Sequence, residues 1–420
     1  MTSKAIFNRV HHDRWSRRAA LQAGGAGFAT AALGALAQRN ATAQEATATP
    51  QMAGSPVPAA NASSFTAEER LAMETIVSSS LAQTKTPGAL VGVWYPGRGT
   101  WLHVAGIGNL ATAAPVIPDD HVRIASITKT FVATVILQLV DEGKLSLEDR
   151  LESFIPGIPN GPEITLRQVL GMDAGIYDFV HDPAVTIDYV ADPLYPFTPE
   201  DALAIIRAST PDFPPGEKVQ YCNSNYILLG MIAEQVTGES IGEAIATRIT
   251  TPLGMTETSF ATTPEMPEPY AQGYIEGATD ELRDVTLLNP DLPWASGAMI
   301  STLSDLGIWA KALADGTLLS PSTQRERLTW GSFQTGPLDV AYGLGILKIN
   351  GLLGHNGGIL GYSLWMIHAP EENATVVVVT NRGSNESGTS DPIFFQLVSL
   401  LFPKRFPSGP ATREAATPAP

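Results

Sequence analysis

An α+β fold, built as an antiparallel β-sheet flanked by helices with a largely helical insert, is predicted by three features of this 420-residue sequence. A helix and a β-hairpin come first, over about residues 66–81 and 90–105. A mostly helical stretch follows, around residues 140–290. The hydrophobic period then changes to that of strands, and four β runs separated by Gly, Asn or Pro precede a final helix. Strands and helices do not alternate, which disfavours a parallel doubly wound sheet.

Each element has a local reason. Thr66 and Glu69 have the spacing of a capping box at the start of an amphipathic helix. Residues 90–95 and 100–105 read as two strands joined by Pro96-Gly97-Arg98-Gly99. In the next helix Ile127, Phe131, Val132, Val135, Ile136 and Leu139 recur at helical spacing, with Ser126 at its start and Gly143 as a stop. Short helices are expected over 145–154 and 165–170, and longer ones over 198–207, 225–236 and 301–313. The β runs are 342–348, 351–355, 362–368 and 375–380, and residues 394–401 close the domain as a helix.

The N-terminus reads as an address. Arg17-Arg18 precede an uncharged small-residue stretch and then Ala41-Thr42-Ala43, the layout of a secretory signal over residues 1–43. The paired arginines resemble a twin-arginine export signal, with Ala20 in place of the usual phenylalanine. Residues 44–64 read as a flexible linker, 65–403 as the folded domain and 404–420 as a disordered tail. An exported, extracellular or cell-envelope protein is expected, with no membrane span after cleavage. Residues 1–43 hold six Lys/Arg and one Asp, so their removal takes the formal charge from −16 to about −21. That acidity argues against nucleic acid or an anionic membrane surface as partner. The single cysteine, Cys222, excludes an intramolecular disulfide. The sequence carries no His-Glu-x-x-His, its seven histidines are scattered, and no metal or other cofactor is expected. An α/β-hydrolase is disfavoured because no Gly-x-Ser-x-Gly occurs.

Three groups of residues carry chemistry. Ser126 and Lys129 lie three apart at the start of an apolar helix, so the lysine can reach the hydroxyl. A serine needs an adjacent base, and burial lowers a lysine's pKa. The plain alternative is a serine cap beside a lysine that reaches for solvent. Of the eight lysines, Lys129 alone has a serine three residues before it. Tyr221 and Asn223 stand at a turn before a helix, where a phenol can relay a proton and an amide can hold both a lysine and a substrate. Gly354-His355-Asn356-Gly357-Gly358 lies on an expected strand, whose edge can lend the Gly358 N–H, beside that of Ser126, to an oxyanion.

Ser-x-x-Lys, then Tyr-x-Asn about a hundred residues later, then His-x-Gly late in the chain resembles the penicillin-recognising serine hydrolases. Class C β-lactamases and D-alanyl-D-alanine carboxypeptidases are the nearest in kind, and the likeness covers residues 65–403. The resemblance implies a β-lactamase/transpeptidase-like fold, with Ser126 as acylating nucleophile and Lys129 as its activator. It makes Tyr221 the proton shuttle and Asn223 the residue that orients lysine and substrate. His355 stands where the β-lactamase version has lysine, and Asn356 where a threonine often holds a substrate carboxylate; Gly357 completes the motif. Gly171-Met-Asp-Ala-Gly175 departs from a His-Thr-Ser-Gly stretch common in relatives, and Cys222 fills a slot that is often serine. The implied activity is hydrolysis of an amide or ester through a Ser126 acyl-enzyme, most of all as a D-Ala-D-Ala carboxypeptidase. A class C-type β-lactamase and an esterase share the same motifs, and a penicillin-binding sensor that does not turn over is the alternative of another class. The implied substrates are peptidoglycan stem peptides, β-lactams or esters; the oligomeric state stays open.

Overall fold

The computed structural model describes residues 65–277, 281–333, 338–383 and 388–406. The expected leader, the linker and residues 407–420 of the expected tail lie outside these. Within the described part the packed body runs three residues past 403: Arg405 pairs with Glu371 and Glu372, at 2.9 Å each, and Phe406 is buried.

Nine strands make one antiparallel sheet. Three come early, β1 (Gly88–Tyr95), β2 (Gly99–Asn109) and β3 (Ala114–Pro115). The short strands β4 (Val122–Arg123), β5 (Ser259–Phe260) and β8 (Met299–Ser301) form a separate small sheet, and β6 (Tyr274–Glu276) pairs with β7 (Leu282–Asp284). Late in the chain come β9 (Gly331–Ser332), β10 (Val340–Tyr342), β11 (Leu347–Ile349), β12 (Leu352–Ile359), β13 (Tyr362–Ala369) and β14 (Ala374–Thr380). The large sheet runs β3-β2-β1-β14-β13-β12-β11-β10-β9, so the first hairpin adds to the last meander through the β1–β14 pairing. The fold class is therefore the expected one.

The register assigns the two faces. Val91 pairs with Val378 and that residue with Trp365, which stacks on Phe394 of helix α9 (Asp391–Leu401) at 4.1 Å. Trp94, three residues from Val91, leaves the opposite face and lies over Gly307 of α7 (Leu303–Asp315). Helix α1 (Ala67–Thr84) packs with α9, so both ends of the described chain cover one face. Its N-terminus carries the expected capping box between Thr66 and Glu69.

On the α7 face sits the helical part: α2 (Thr128–Asp141), α3 (Leu166–Gly171), α4 (Pro183–Ala191), α5 (Pro199–Ala208), α6 (Asn223–Thr237) and α8 (Pro321–Arg327). Helix α2 is central, with eleven of its fourteen residues buried, so it is wrapped on all sides instead of being half-exposed. Phe131 stacks on Trp309 of α7 at 4.3 Å, and the Trp309 indole donates to Thr130 Oγ1 at 2.7 Å.

Some elements differ from expectation. The helix expected over 145–154 is only a short turn, Leu151–Ser153, because Asp149 takes the Ser146 N–H and Arg150 bridges to Thr165. The run 342–348 splits into β10 and β11 around Gly345, whose φ of +76° makes the turn. Helix α7 begins after Thr302, since Ser301 ends β8. Helices α4 and α8 are additional to the expected elements, and Asp182-Pro183 and Ser320-Pro321 are their cap-plus-proline starts.

Candidate active site

Ser126 sits in the turn Ala125–Ile127 that leads into α2. Ala125, just before it, holds φ +49°, a left-handed conformation that a non-glycine residue adopts at some energetic cost. The turn packs against β12, where a Cβ on Gly357 would lie 2.5 Å from the Ile124 carbonyl oxygen. Only Gly allows this approach, which brings the 355–359 stretch beside the serine. That stretch pairs with β13 on one side, while β11 reaches only as far as Gly354. Ser126 and Gly358 thus line one cleft, the first at a helix start and the second on a stretch that β11 does not pair.

Lys129 Nζ donates to Ser126 Oγ at 3.1 Å, to Asn223 Oδ1 at 2.8 Å and to the Ser296 carbonyl at 2.8 Å. The side chain is fully buried, so it does not reach for solvent. Burial pulls its pKa down to about 7, against a partial upward pull from Asp178. A substantial part of Lys129 is therefore a free amine near neutral pH, lying against the hydroxyl it would deprotonate.

Asn223 begins α6 and is fixed from the other side. Asp178 Oδ2 accepts both its backbone N–H and its Nδ2–H, each at 3.0 Å. This settles the amide's orientation: nitrogen toward Asp178, oxygen toward Lys129. Asp178 itself is buried, and burial raises its pKa. Neither Asp178 nor the Ser296 carbonyl carries a signature in the sequence; both matter here through positions that only the fold brings together. The first turn of α6 is anchored by Asn225 donating to the Val169 carbonyl and Tyr226 to that of Leu170.

Tyr221 lies with its ring 4.9 Å from Lys129 Nζ. Its hydroxyl is near enough to Ser126 for that contact to oppose the upward shift, yet it completes no hydrogen bond among the described residues. Burial still raises the phenol well above its ordinary pKa of 10.0, so it stays protonated and is equipped to donate. Cys222 is a passive neighbour: its thiol is buried, and burial shifts it well above 9.0.

His355 lies next to Tyr221 and is not among the residues lining the cleft. It is buried behind Tyr221, ring centroids 6.1 Å apart, with Nε2 3.0 Å from the Tyr342 hydroxyl and Nδ1 against the Asn356 carbonyl. Burial lowers its pKa to about 3, so it supplies no cation and serves to support Tyr221. Asn356, one residue on, leaves the strand on the face opposite to His355 and is not among the residues lining the cleft.

The cleft over Ser126 encloses about 570 Å³ of free space, open solvent included. Phe179, Val180, Val185, Val190, Leu292 and Ile359 make most of its wall, Asn223, Ser296 and Gly358 its reactive end. No charged side chain lines it among the described residues.

A family model described as Beta-lactamase matches residues 73–398. The chain belongs to the beta-lactamase family. A D-stereospecific amidohydrolase from Streptomyces sp. is 32% identical in sequence, with a TM-score of 0.71 over 80% of this chain and 99% of that one. The D-amino acid amidase of Ochrobactrum anthropi SV3, in complex with L-phenylalanine amide, is 26% identical, with a TM-score of 0.70 over 79% and 97%. A D-aminopeptidase of Brucella anthropi is 28% identical over 78% of this chain, but the match spans only 62% of that longer protein. Within the beta-lactamase family this chain is thus a serine hydrolase, and these relatives are named for D-amino-acid amides and peptides where a carboxypeptidase was expected. No described helix is long and apolar enough to cross a membrane, and no described group of acidic, His or Cys residues is arranged to hold a metal ion.

Proposed function

We propose that this chain hydrolyses small amides and esters without a free carboxylate, of the D-amino-acid amide class, through a Ser126 acyl-enzyme. The observation that carries the proposal is the buried Lys129 amine, 3.1 Å from Ser126 Oγ, at the end of a cleft without charged walls. In this reading neutral Lys129 takes the Ser126 proton as Oγ attacks the carbonyl carbon. The Ser126 and Gly358 N–H groups hold the resulting oxyanion. The Tyr221 phenol protonates the departing amine and recovers its proton from Lys129. Water then attacks the ester, losing its proton to Lys129, which passes it to Ser126 Oγ as the acyl group departs as the acid. Three things favour this over the carboxypeptidase reading: the neutral His355, the displaced Asn356 and the names of the relatives. The first two leave a substrate carboxylate without an obvious partner. We also propose export, on the strength of the Arg17-Arg18 leader; the mass of the mature chain, about 43 residues short, tests it.

The test is a panel of D- and L-amino-acid amides, p-nitrophenyl esters and D-Ala-D-Ala peptides, run on wild type and Ser126→Ala. Turnover of D-amides and neutral esters that vanishes in the variant is expected. Faster cleavage of the D-Ala-D-Ala peptide than of any amide would return the carboxypeptidase reading, and labelling without turnover would make the protein a sensor.

A further inference from the structure

Helix α4, nine residues long, supplies one wall of the cleft through Val185, Thr186, Tyr189 and Val190. Ile187, on its other side, is exposed, and its main packing partner among the described elements is the neighbouring turn Phe179–His181. A helix this short does not hold itself in place, because isolated helices under about twelve residues are marginal in water. Its N-terminal end is fixed by Asp182, whose carboxylate accepts the Ala184 N–H at 2.9 Å, and by Thr186 Oγ1, which donates to the Val180 carbonyl. Its C-terminal end leaves carbonyls with no partner inside the helix. One side chain from far along the sequence takes two of them. Arg283 Nη1 donates to the Ala191 carbonyl at 3.1 Å, and Nη2 to the Val190 carbonyl. Arg283 stands on β7, opposite Ile275 of β6, so the anchor is a paired strand and no part of α4 or its loops. A cation suits the C-terminal end of a helix dipole, and the planar guanidinium fork fixes the direction as well as the distance of both carbonyls. Val190 is thereby held at the cleft wall through its own carbonyl.

We propose that Arg283 is a positioning residue that sets the width of the cleft beside Val185 and Val190, and so the size of acyl side chain that the enzyme accepts. This rests on the function proposed above: a D-amino-acid amide loses only ammonia, so a group seated along this wall belongs to the acyl part. Val185 and Val190 offer it hydrocarbon contact, whose worth grows with the apolar area covered. Without the Arg283 fork the C-terminal end of α4 is free to shift, and a large apolar side chain loses part of its contact. A methyl side chain has little such contact to lose. Ser126, Lys129 and Asn223 lie on other elements, so the chemical step keeps its geometry.

The experiment compares D-leucine amide with D-alanine amide on wild type, Arg283→Ala and Arg283→Lys. The kcat/KM ratio of the leucine to the alanine amide should fall about tenfold in Arg283→Ala, the size of one methylene's contact in an apolar pocket. The loss should sit in KM. For D-alanine amide, kcat and its pH midpoint should stay in place. Arg283→Lys, which keeps a cation at the helix end, should recover part of the ratio. Where Arg283→Ala does not fold, Arg283→Gln is read for the same fall. An unchanged ratio overturns the proposal. So does a lower melting temperature with both amides slowed alike, which would make Arg283 a strut of the fold and nothing more. Wild type that cleaves D-Ala-D-Ala peptides but neither amide would instead overturn the reading of the function, and this proposal with it.

Discussion

Lys129 is useful because it is expensive to bury. In water its amine would be protonated at pH 7 and could accept nothing from Ser126. Enclosed by α2, α6 and the Ser296 carbonyl, the charged form is disfavoured by burial, and three neutral acceptors around Nζ with the partial pull of Asp178 do not restore it fully. Acylation should therefore increase with pH through about 7, as the ammonium gives up its proton, and level off above. Stability should change in the same direction. Between the folded pKa of about 7 and the ordinary 10.5, the unfolded chain binds one more proton at this lysine than the folded chain does. Raising the pH across that window therefore stabilises the fold, as far as Lys129 is concerned. Lys129→Ala should slow acylation roughly 10²–10⁴-fold, the usual worth of a positioned base, and remove the step near pH 7. Stopped-flow acylation by a chromogenic ester from pH 5 to 9 measures both. A profile flat across pH 7, or wild-type rates in the variant, would mean that another group takes the serine proton.

At the scale of elements, the legible parts of the sequence were those whose signals are local. The capping box at Thr66, the hairpin across 96–99 and the apolar rows of α2 and α6 each sit within a few residues of their cause, and the fold class followed from their order. What could not be read were relations across the chain. Asp178 meets Asn223 from 45 residues away, and the Ser296 carbonyl meets Lys129 from 167 away. His355 matched a motif by position, yet its role is set by the Tyr342 and Tyr221 rings around it, which no spacing reveals. Gly357 lies between these cases: its place in a motif was visible, its reason was not. The reason is the Ile124 carbonyl, 2.5 Å from where a Cβ would stand. Gly357→Ala must push β12 away from the Ser126 turn, spoiling the alignment of the two oxyanion N–H groups. A fall in kcat approaching the roughly 10²–10³-fold of a lost oxyanion donor is expected, while the pH midpoint set by Lys129 stays in place. Wild-type kcat in this variant would show that β12 takes no part in binding the oxyanion.

Across the whole molecule the charge balance bears on which substrates arrive. The chain carries a formal charge of −16, and nothing in the described cleft offsets it. An anionic substrate approaches against the protein's field and, once bound, finds a neutral His355 where its carboxylate would look for a cation. Salt screens the first effect and leaves the second, because the Debye length shrinks from about 30 Å at 0.01 M to about 10 Å at 0.1 M. Penicillins, which carry a carboxylate, should accordingly acylate Ser126 slowly, and the rate should rise as salt is added over this range. A neutral p-nitrophenyl ester should show no such dependence. Deacylation of the penicilloyl-enzyme should be slow as well: Tyr221 is held as a protonated phenol, which leaves Lys129 alone to activate a water beside the bulky adduct. Following labelled penicillin by mass spectrometry at two ionic strengths, with the ester as control, separates the terms. Steady cephalosporin turnover at tens per second, an ordinary enzymatic rate, or a penicillin rate that falls with added salt, would show that a cation absent from the described cleft receives the carboxylate.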